Sequence, residues 1–141
     1  MRYIIKKKDN KRIECANSTE LKSVLKNFYS AEIADIEKET KDKKESVYIS
    51  YKKYTKPDFI LDVIDRTGNK KYSINNIWTD SLQGINLNPL IIQKIELIKN
   101  DGEERVYSIY YKSGLIIEVE QRVYSGKTRI VHINDGLNTI I

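Results

Sequence analysis

The stretch from Leu90 to Ile133 constrains the fold of this chain more than any other feature. It contains four runs of apolar, β-branched or aromatic residues, and a glycine-containing turn separates each run from the next. Such spacing is typical of consecutive antiparallel strands. In the third run, one face would carry Leu115, Ile117, Val119 and Val123 and the other Glu118, Glu120 and Arg122, which indicates one buried and one wet face. The stretch therefore predicts an antiparallel meander.

The N-terminal residues predict a hairpin followed by a helix. The segment Lys8 to Lys11 lies between two short apolar-containing runs, and its Asp and Asn tolerate the backbone of a tight turn. Asn17 then precedes a segment with a glutamate at position 20, three residues after a good N-cap, and apolar residues follow at helical spacing. We expect a helix from about Ser18 to Tyr29.

Three further segments give weaker signals. Ala31 to Lys38 fits either a helical turn or a charged strand, and we favour the strand. Glu37 to Ser46 has ten residues without an apolar side chain, which indicates a solvated loop. Around Asn75 to Gln83 the apolar spacing returns to a helical period, so that a short second helix is predicted there.

Ser46 to Tyr54 predicts a strand with two different faces, because its residue types alternate. The residues predicted to face the core are Val47, Ile49 and Tyr51. The opposite face would carry Tyr48, Lys52 and Tyr54. After a break at Pro57, a hairpin with strands at about 59–64 and 70–74 is expected.

Length and composition favour one domain over residues 1–141. A chain of 141 residues is long enough for one core and short for two. No run is long enough to span a bilayer, and the first residues lack the apolar centre of a secretion signal, so the cytoplasm is the expected location. The single cysteine and single histidine exclude an internal disulfide and a Cys/His zinc site.

Motifs of catalysis are sparse, and no cofactor is expected. The six glycines are scattered, without a phosphate-binding loop, and no GxSxG frame is present. The best acidic cluster is Asp58, Asp62 and Asp65, of which only two would meet on one face of a strand. A metal-dependent nuclease that uses Asp58 and Asp62 is therefore kept as the weakest hypothesis.

The basic residues concentrate in the N-terminal half. Residues 1–71 contain 18 Lys and Arg against 12 Asp and Glu, whereas residues 72–141 contain 7 against 8. The basic side chains lie on three segments: the first hairpin, the strand ending near residue 56 and the segment after Gly68. If these side chains converge, they could neutralise phosphates while tyrosine rings stack on unpaired bases. This set is Lys6, Lys7, Lys8, Lys11, Arg12, Tyr48, Lys52, Lys53, Tyr54, Lys56, Lys70 and Lys71. Lysines at strand ends also protect sheet edges from aggregation, which is an equally good explanation.

Trp78 is the other candidate. On the inner face of the second helix it would anchor the core, whereas on the outer face it would be a hot spot for a partner.

Together these features predict an α+β fold of predominantly antiparallel sheet, with one to two short helices packed on it. We expect a small non-catalytic protein that binds nucleic acid or a nucleoprotein complex through its basic half, of the accessory or inhibitory type found in phages and mobile elements. The first alternative is a module for protein–protein interaction or self-assembly, which includes a homo-oligomer, and the second is the nuclease.

Overall fold

A computed structural model describes residues 2–49, 60–75, 82 and 84–134 of the chain. The described residues contain ten strands, one α-helix and one 3-10 turn. The strands are β1 (Arg2–Lys7), β2 (Arg12–Cys15), β3 (Ile33–Glu39), β4 (Lys44–Ile49), β5 (Ile60–Ile64), β6 (Lys70–Asn75), β7 (Ile92–Asn100), β8 (Glu104–Tyr111), β9 (Ile116–Arg122) and β10 (Thr128–Asn134). The helix α1 is Ser18–Leu25 and the 3-10 turn is Ser30–Glu32.

The strands form two sheets. The N-terminal sheet has the order β2-β1-β3-β4, and all its pairs are antiparallel. The C-terminal sheet has six strands in the order β10-β9-β8-β7-β5-β6. Buried apolar residues of both sheets form one contiguous cluster. The architecture is α+β and mostly antiparallel, which confirms the predicted fold class.

The predicted meander is present as β7 to β10, each strand pairing with the next. Three glycines with positive φ, at positions 102, 114 and 126, lie between these strands. Leu115, Ile117 and Val119 are at most 6% exposed, so the predicted buried face is confirmed for them. Val123 was predicted on the same face but lies after the end of β9 and is half-buried.

One strand pair of the C-terminal sheet is parallel. β5 pairs with β6 through the predicted hairpin, and then with β7 in parallel, with Val63 opposite Ile95. Hydrophobic alternation predicts a strand but not its partner, and parallel pairing requires a long crossover connection. Here the connection between the parallel strands runs from the end of β5 to the start of β7 and includes β6.

Helix α1 lies between the two sheets, in contact with β1 and β2 on one side and with β10 on the other. The Asn17 side chain accepts a hydrogen bond from the Glu20 N–H at 2.9 Å, and the Glu20 side chain accepts one from the Ala16 N–H at 3.0 Å, so the predicted N-terminal cap is confirmed. Leu21 and Leu25 are buried. The helix ends four residues before the predicted Tyr29, because the chain turns there into the 3-10 segment.

The prediction of a loop from Glu37 to Ser46 is wrong. The strand predicted from Ala31 is confirmed, and in the structure it begins at Ile33. Only residues 40–43 connect β3 to β4, and the charged residues on either side belong to the strands. Those charges have partners: Lys6 bonds to Glu37 at 2.6 Å, and Arg2 approaches Glu39 at 3.1 Å. Opposite charges on adjacent strands and long aliphatic stems let a segment without apolar residues form a strand.

The faces predicted for the strand at Ser46 are wrong for Tyr48 and Ile49, whereas Val47 packs against the core as predicted. Tyr48 is 3% exposed and belongs to the core, whereas Ile49 is 46% exposed. The Tyr48 hydroxyl donates a hydrogen bond to the Gly84 carbonyl and accepts one from the Asn86 N–H, both at 3.1 Å. A buried tyrosine whose hydroxyl is paired buries more apolar area than a valine or an isoleucine, which explains the reversal. Tyr51 lies outside the described residues.

The predicted second helix falls mostly outside the described residues, and Asn75 is the last residue of β6. In the part of the chain that is described, no helix has the length and apolar character needed to cross a bilayer.

Candidate nucleic-acid interface

The β1–β2 hairpin ends in a tight, hydrogen-bonded turn. The Lys7 N–H donates to the Lys11 carbonyl at 2.8 Å, and the Asp9 carboxylate accepts from the Lys11 N–H at 2.9 Å. Asn10 has a φ of 69°, the left-handed conformation that asparagine tolerates better than most residues. The turn therefore fixes the backbone positions from which its basic side chains project.

Two of the predicted cations on this hairpin have carboxylate partners. Lys6 bonds to Glu37, and this hydrogen bond lowers the pKa of the Glu37 carboxyl. The Lys7 ammonium lies 3.7 Å from Asp9 and 3.9 Å from Glu32. The pKa of Asp9 is lowered as well, mainly by the hydrogen bond from Lys11 and then by the charges of Lys7 and Lys11. Lys6 and Lys7 are therefore locally neutralised.

The other three predicted cations of the hairpin are exposed and lack such partners. Lys8, Lys11 and Arg12 have no carboxylate of a described residue within 4.0 Å, and we call these three residues the hairpin tip. Lys11 and Arg12 border a concavity of about 310 Å³ that is also lined by Lys6, Lys7, Asn10, Ala34 and Asp35. Asp35 accepts a hydrogen bond from Ser46. The excess positive charge of this region thus lies at the hairpin tip.

Lys70 and Lys71 are on the other sheet, at the start of its edge strand β6. The Lys70 ammonium is 3.6 Å from Asp62, and that of Lys71 is 3.7 Å from Asp65. The hairpin that carries these lysines also supplies their counter-charges. Lys70 and Lys71 therefore do not extend the unpaired positive charge of the hairpin tip.

The remaining predicted site residues do not extend this surface. The Tyr48 ring is buried, so it offers no face for a base, and its predicted orientation was wrong. The others lie outside the described residues: Lys52, Lys53, Tyr54, Lys56 and Trp78.

Two aromatic residues next to the hairpin tip were not predicted as part of the site. The ring of Phe28 lies 4.8 Å from the Lys7 ammonium. The ring of Tyr29 has the ammonium of Lys127 at 5.1 Å and the guanidinium of Arg129 at 4.3 Å from its centroid. All three distances are within the range of cation–π attraction.

The segment that carries Tyr29 is fixed between the hairpin and β10. The Lys8 N–H donates to the Glu32 carbonyl at 2.9 Å, and the Ser30 hydroxyl donates to the Thr128 carbonyl at 3.1 Å. Gly84 packs against the same segment so closely that a Cβ there would lie 2.6 Å from the Ser30 carbonyl oxygen. These contacts join the hairpin tip, the Tyr29 ring and the start of β10 into one surface.

We call this surface the basic strip. Its cations have no carboxylate of a described residue within 4.0 Å. The members are Lys8, Lys11, Arg12, Lys127 and Arg129, around the rings of Phe28 and Tyr29. The sequence held one signal for the missed part: Lys127 and Arg129 are two residues apart at the start of a strand and so share a face. Their contact with Tyr29 joins residues about 100 positions apart, which no local pattern reveals.

The acidic candidates have structural partners. Asp62 accepts a hydrogen bond from the Ser73 hydroxyl at 2.8 Å in addition to its contact with Lys70. Asp65 accepts bonds from Thr67 and from the Asn69 N–H, and these bonds, the Thr67 hydroxyl first, lower its pKa. Asp58 lies outside the described residues, and no group of three or more His, Cys, Asp or Glu within them could hold a metal ion.

Comparisons with protein-family models, with curated proteins and with solved structures found no match for the chain.

Proposed function

We propose that this protein is a non-catalytic nucleic-acid-binding protein and that the basic strip contacts the phosphate backbone. The observation that carries the proposal is the grouping of five cations, none with a carboxylate of a described residue within 4.0 Å, on elements that the fold holds together. Such cations can neutralise phosphates and release the counterions condensed on them.

The aromatic rings add a reason to favour single-stranded nucleic acid. Phe28 and Tyr29 are both partly exposed, and each carries a cation on its ring. Aromatic rings and arginine guanidinium planes are both surfaces on which unpaired bases stack. Unpaired bases could therefore stack beside phosphates bound by Lys127 and by the hairpin tip, without reading a sequence.

A titration of the wild-type protein with labelled oligonucleotides tests the proposal. Fluorescence anisotropy with a single-stranded 20-mer and with the matching duplex, both at about 50 mM salt, should show binding that is tighter for the single strand. Absence of binding to either oligonucleotide at this salt concentration would rule the proposal out. Preference for the duplex would remove the role proposed for the rings while leaving the phosphate contacts.

A protein partner is the second candidate function, favoured by exposed apolar side chains beside β4. Ile49 and Leu90 are 46% and 63% exposed, and with Ile91 and Leu115 they border a groove of about 250 Å³. Self-association through this groove should give an oligomer in light scattering that Leu90→Glu converts to a monomer. A monomeric wild type at high concentration contradicts self-association.

A further inference from the structure

Two tyrosine side chains, Tyr72 on the edge strand β6 and Tyr107 on β8, meet over the C-terminal sheet. These strands are separated by β7 and β5 in the sheet order, yet the rings of Tyr72 and Tyr107 meet edge to face with centroids 6.5 Å apart. Their hydroxyl groups are hydrogen-bonded to each other. The two rings border a cavity that is also lined by residues of β8 and β9.

This cavity has the size and lining of a small-molecule site. Its volume is about 550 Å³, within the range of roughly 300 to 1,000 Å³ that is usual for ligand pockets. Apolar walls come from Ile74, Val123 and the two tyrosine rings, and polar groups come from Arg105 and Gln121. A mostly apolar cavity with a few polar groups on one side suits a molecule with an apolar body and one polar end.

Arg105 supplies a positive charge that has no carboxylate partner among the described residues. Its guanidinium carbon lies 5.7 Å from the centroid of the Tyr72 ring, and no carboxylate of a described residue lies within 4.0 Å of the guanidinium nitrogens. The Nε atom is buried and has no hydrogen-bond acceptor among the described residues. Arg105 lines the cavity, and an oxyanion bound there would pair with its positive charge.

We propose that this cavity binds a small molecule with an apolar body and one oxyanion group, either a carboxylate or a phosphate monoester, which Arg105 recognises. One O–H of the Tyr72 and Tyr107 pair is used in their mutual hydrogen bond, which leaves the other O–H as the neighbouring donor. Burial raises the pKa of Tyr72, and its hydrogen bond with Tyr107 raises it further, so that this phenol stays protonated near neutral pH. The site is independent of the basic strip, and an oligonucleotide has no part in it.

Three matched probes test the proposal: phenylacetate, phenyl phosphate and the neutral phenylacetamide. In an NMR titration of the full chain, at least one anion should shift the signals of the Arg105 Nε–H and of the Tyr72 and Gln121 backbone amides. Phenylacetamide should bind about tenfold more weakly, or more weakly still, because it lacks the negative charge. The anion that binds with the higher affinity identifies which oxyanion the site prefers. Equal binding of the amide, or no shift at these residues with either anion, overturns the proposal.

Two variants and one control complete the experiment. Arg105→Gln removes the charge and should weaken binding of the preferred anion about tenfold or more, whereas Tyr72→Phe keeps the ring and should weaken it less. Lys43→Gln removes the same charge from the exposed β3–β4 connection and should change nothing. If Arg105→Gln does not fold, the wild-type shifts and the Tyr72→Phe affinity still decide the question. Unchanged affinity in a folded Arg105→Gln protein contradicts the proposal.

Discussion

The tip of the β1–β2 hairpin and the start of β6 are both lysine-rich strand ends, and the sequence predicts the same role for them. In the structure they differ in their surroundings. Lys70 and Lys71 each lie within 4.0 Å of a carboxylate on their own hairpin, whereas Lys8 and Lys11 do not. Counting lysines therefore overestimates the surface available to phosphates, because the cross-strand partner decides whether a charge remains unpaired.

The largest expected effect comes from neutralising the hairpin tip. Lys8→Gln, Lys11→Gln and Arg12→Gln together remove three phosphate contacts, which at about 50 mM salt should weaken single-strand binding roughly 500-fold. The matched control replaces Lys44, Lys70 and Lys71 by Gln; each of these has a carboxylate within 4.0 Å and is more than half exposed. Fluorescence anisotropy should give the control nearly wild-type affinity. An equal loss in both proteins would show that only net charge matters.

Neutralising the other end of the basic strip should have a smaller effect. Lys127→Gln with Arg129→Gln removes two contacts, and at about 50 mM salt binding should weaken roughly 60-fold. Circular dichroism before the titration checks that β10 still folds. Wild-type affinity in this variant would restrict the interface to the hairpin tip.

A substitution at Tyr29 tests the stacking surface separately from charge. Tyr29→Leu retains an apolar side chain but removes the ring beneath Arg129, and single-strand binding should weaken about tenfold. Duplex binding should hardly change, since paired bases are not available for stacking. If duplex and single-strand affinities fall equally, the ring only positions the cations.

The smallest expected effect is that of pH. The pKa values of Asp9 and Glu37 are lowered from 3.8 and 4.5, so that both carboxylates stay ionised well into acid. Protonation of either carboxylate removes a negative charge beside the cations of the basic strip. The affinity for nucleic acid should therefore rise only at a pH below these ordinary pKa values. Between about pH 8 and about pH 6, anisotropy titrations should give affinities that agree within about twofold. A steep change in that interval would indicate another titrating group at the interface.

The sequence predicted the parts of the fold that depend on neighbours along the chain. The meander follows from alternation and turn glycines, and the start of α1 follows from Asn17 and Glu20, because each interaction spans only a few residues. The parallel pairing of β5 with β7 has no local signature. The same holds for Gly84, whose packing against Ser30 fixes the Tyr29 segment.

The candidate site was predicted in part for the same reason. The hairpin tip is local, and its three cations are among the predicted residues. Tyr48 was placed on the wrong face because its hydroxyl partners, Gly84 and Asn86, are more than 30 residues away. Arg129 was missed because its contact with Tyr29 exists only once β10 lies beside the 3-10 turn.

The salt dependence of single-strand binding tests the central claim most directly, because its slope counts the phosphate contacts. With five contacts, the logarithm of the association constant should fall with the logarithm of salt concentration with a slope of about −3.5. In the variant with Lys8, Lys11 and Arg12 replaced by Gln, the slope should be about −1.4, while the Lys44, Lys70 and Lys71 control keeps the wild-type value. The same slope in all three proteins would contradict the assignment of the basic strip as the phosphate-binding surface.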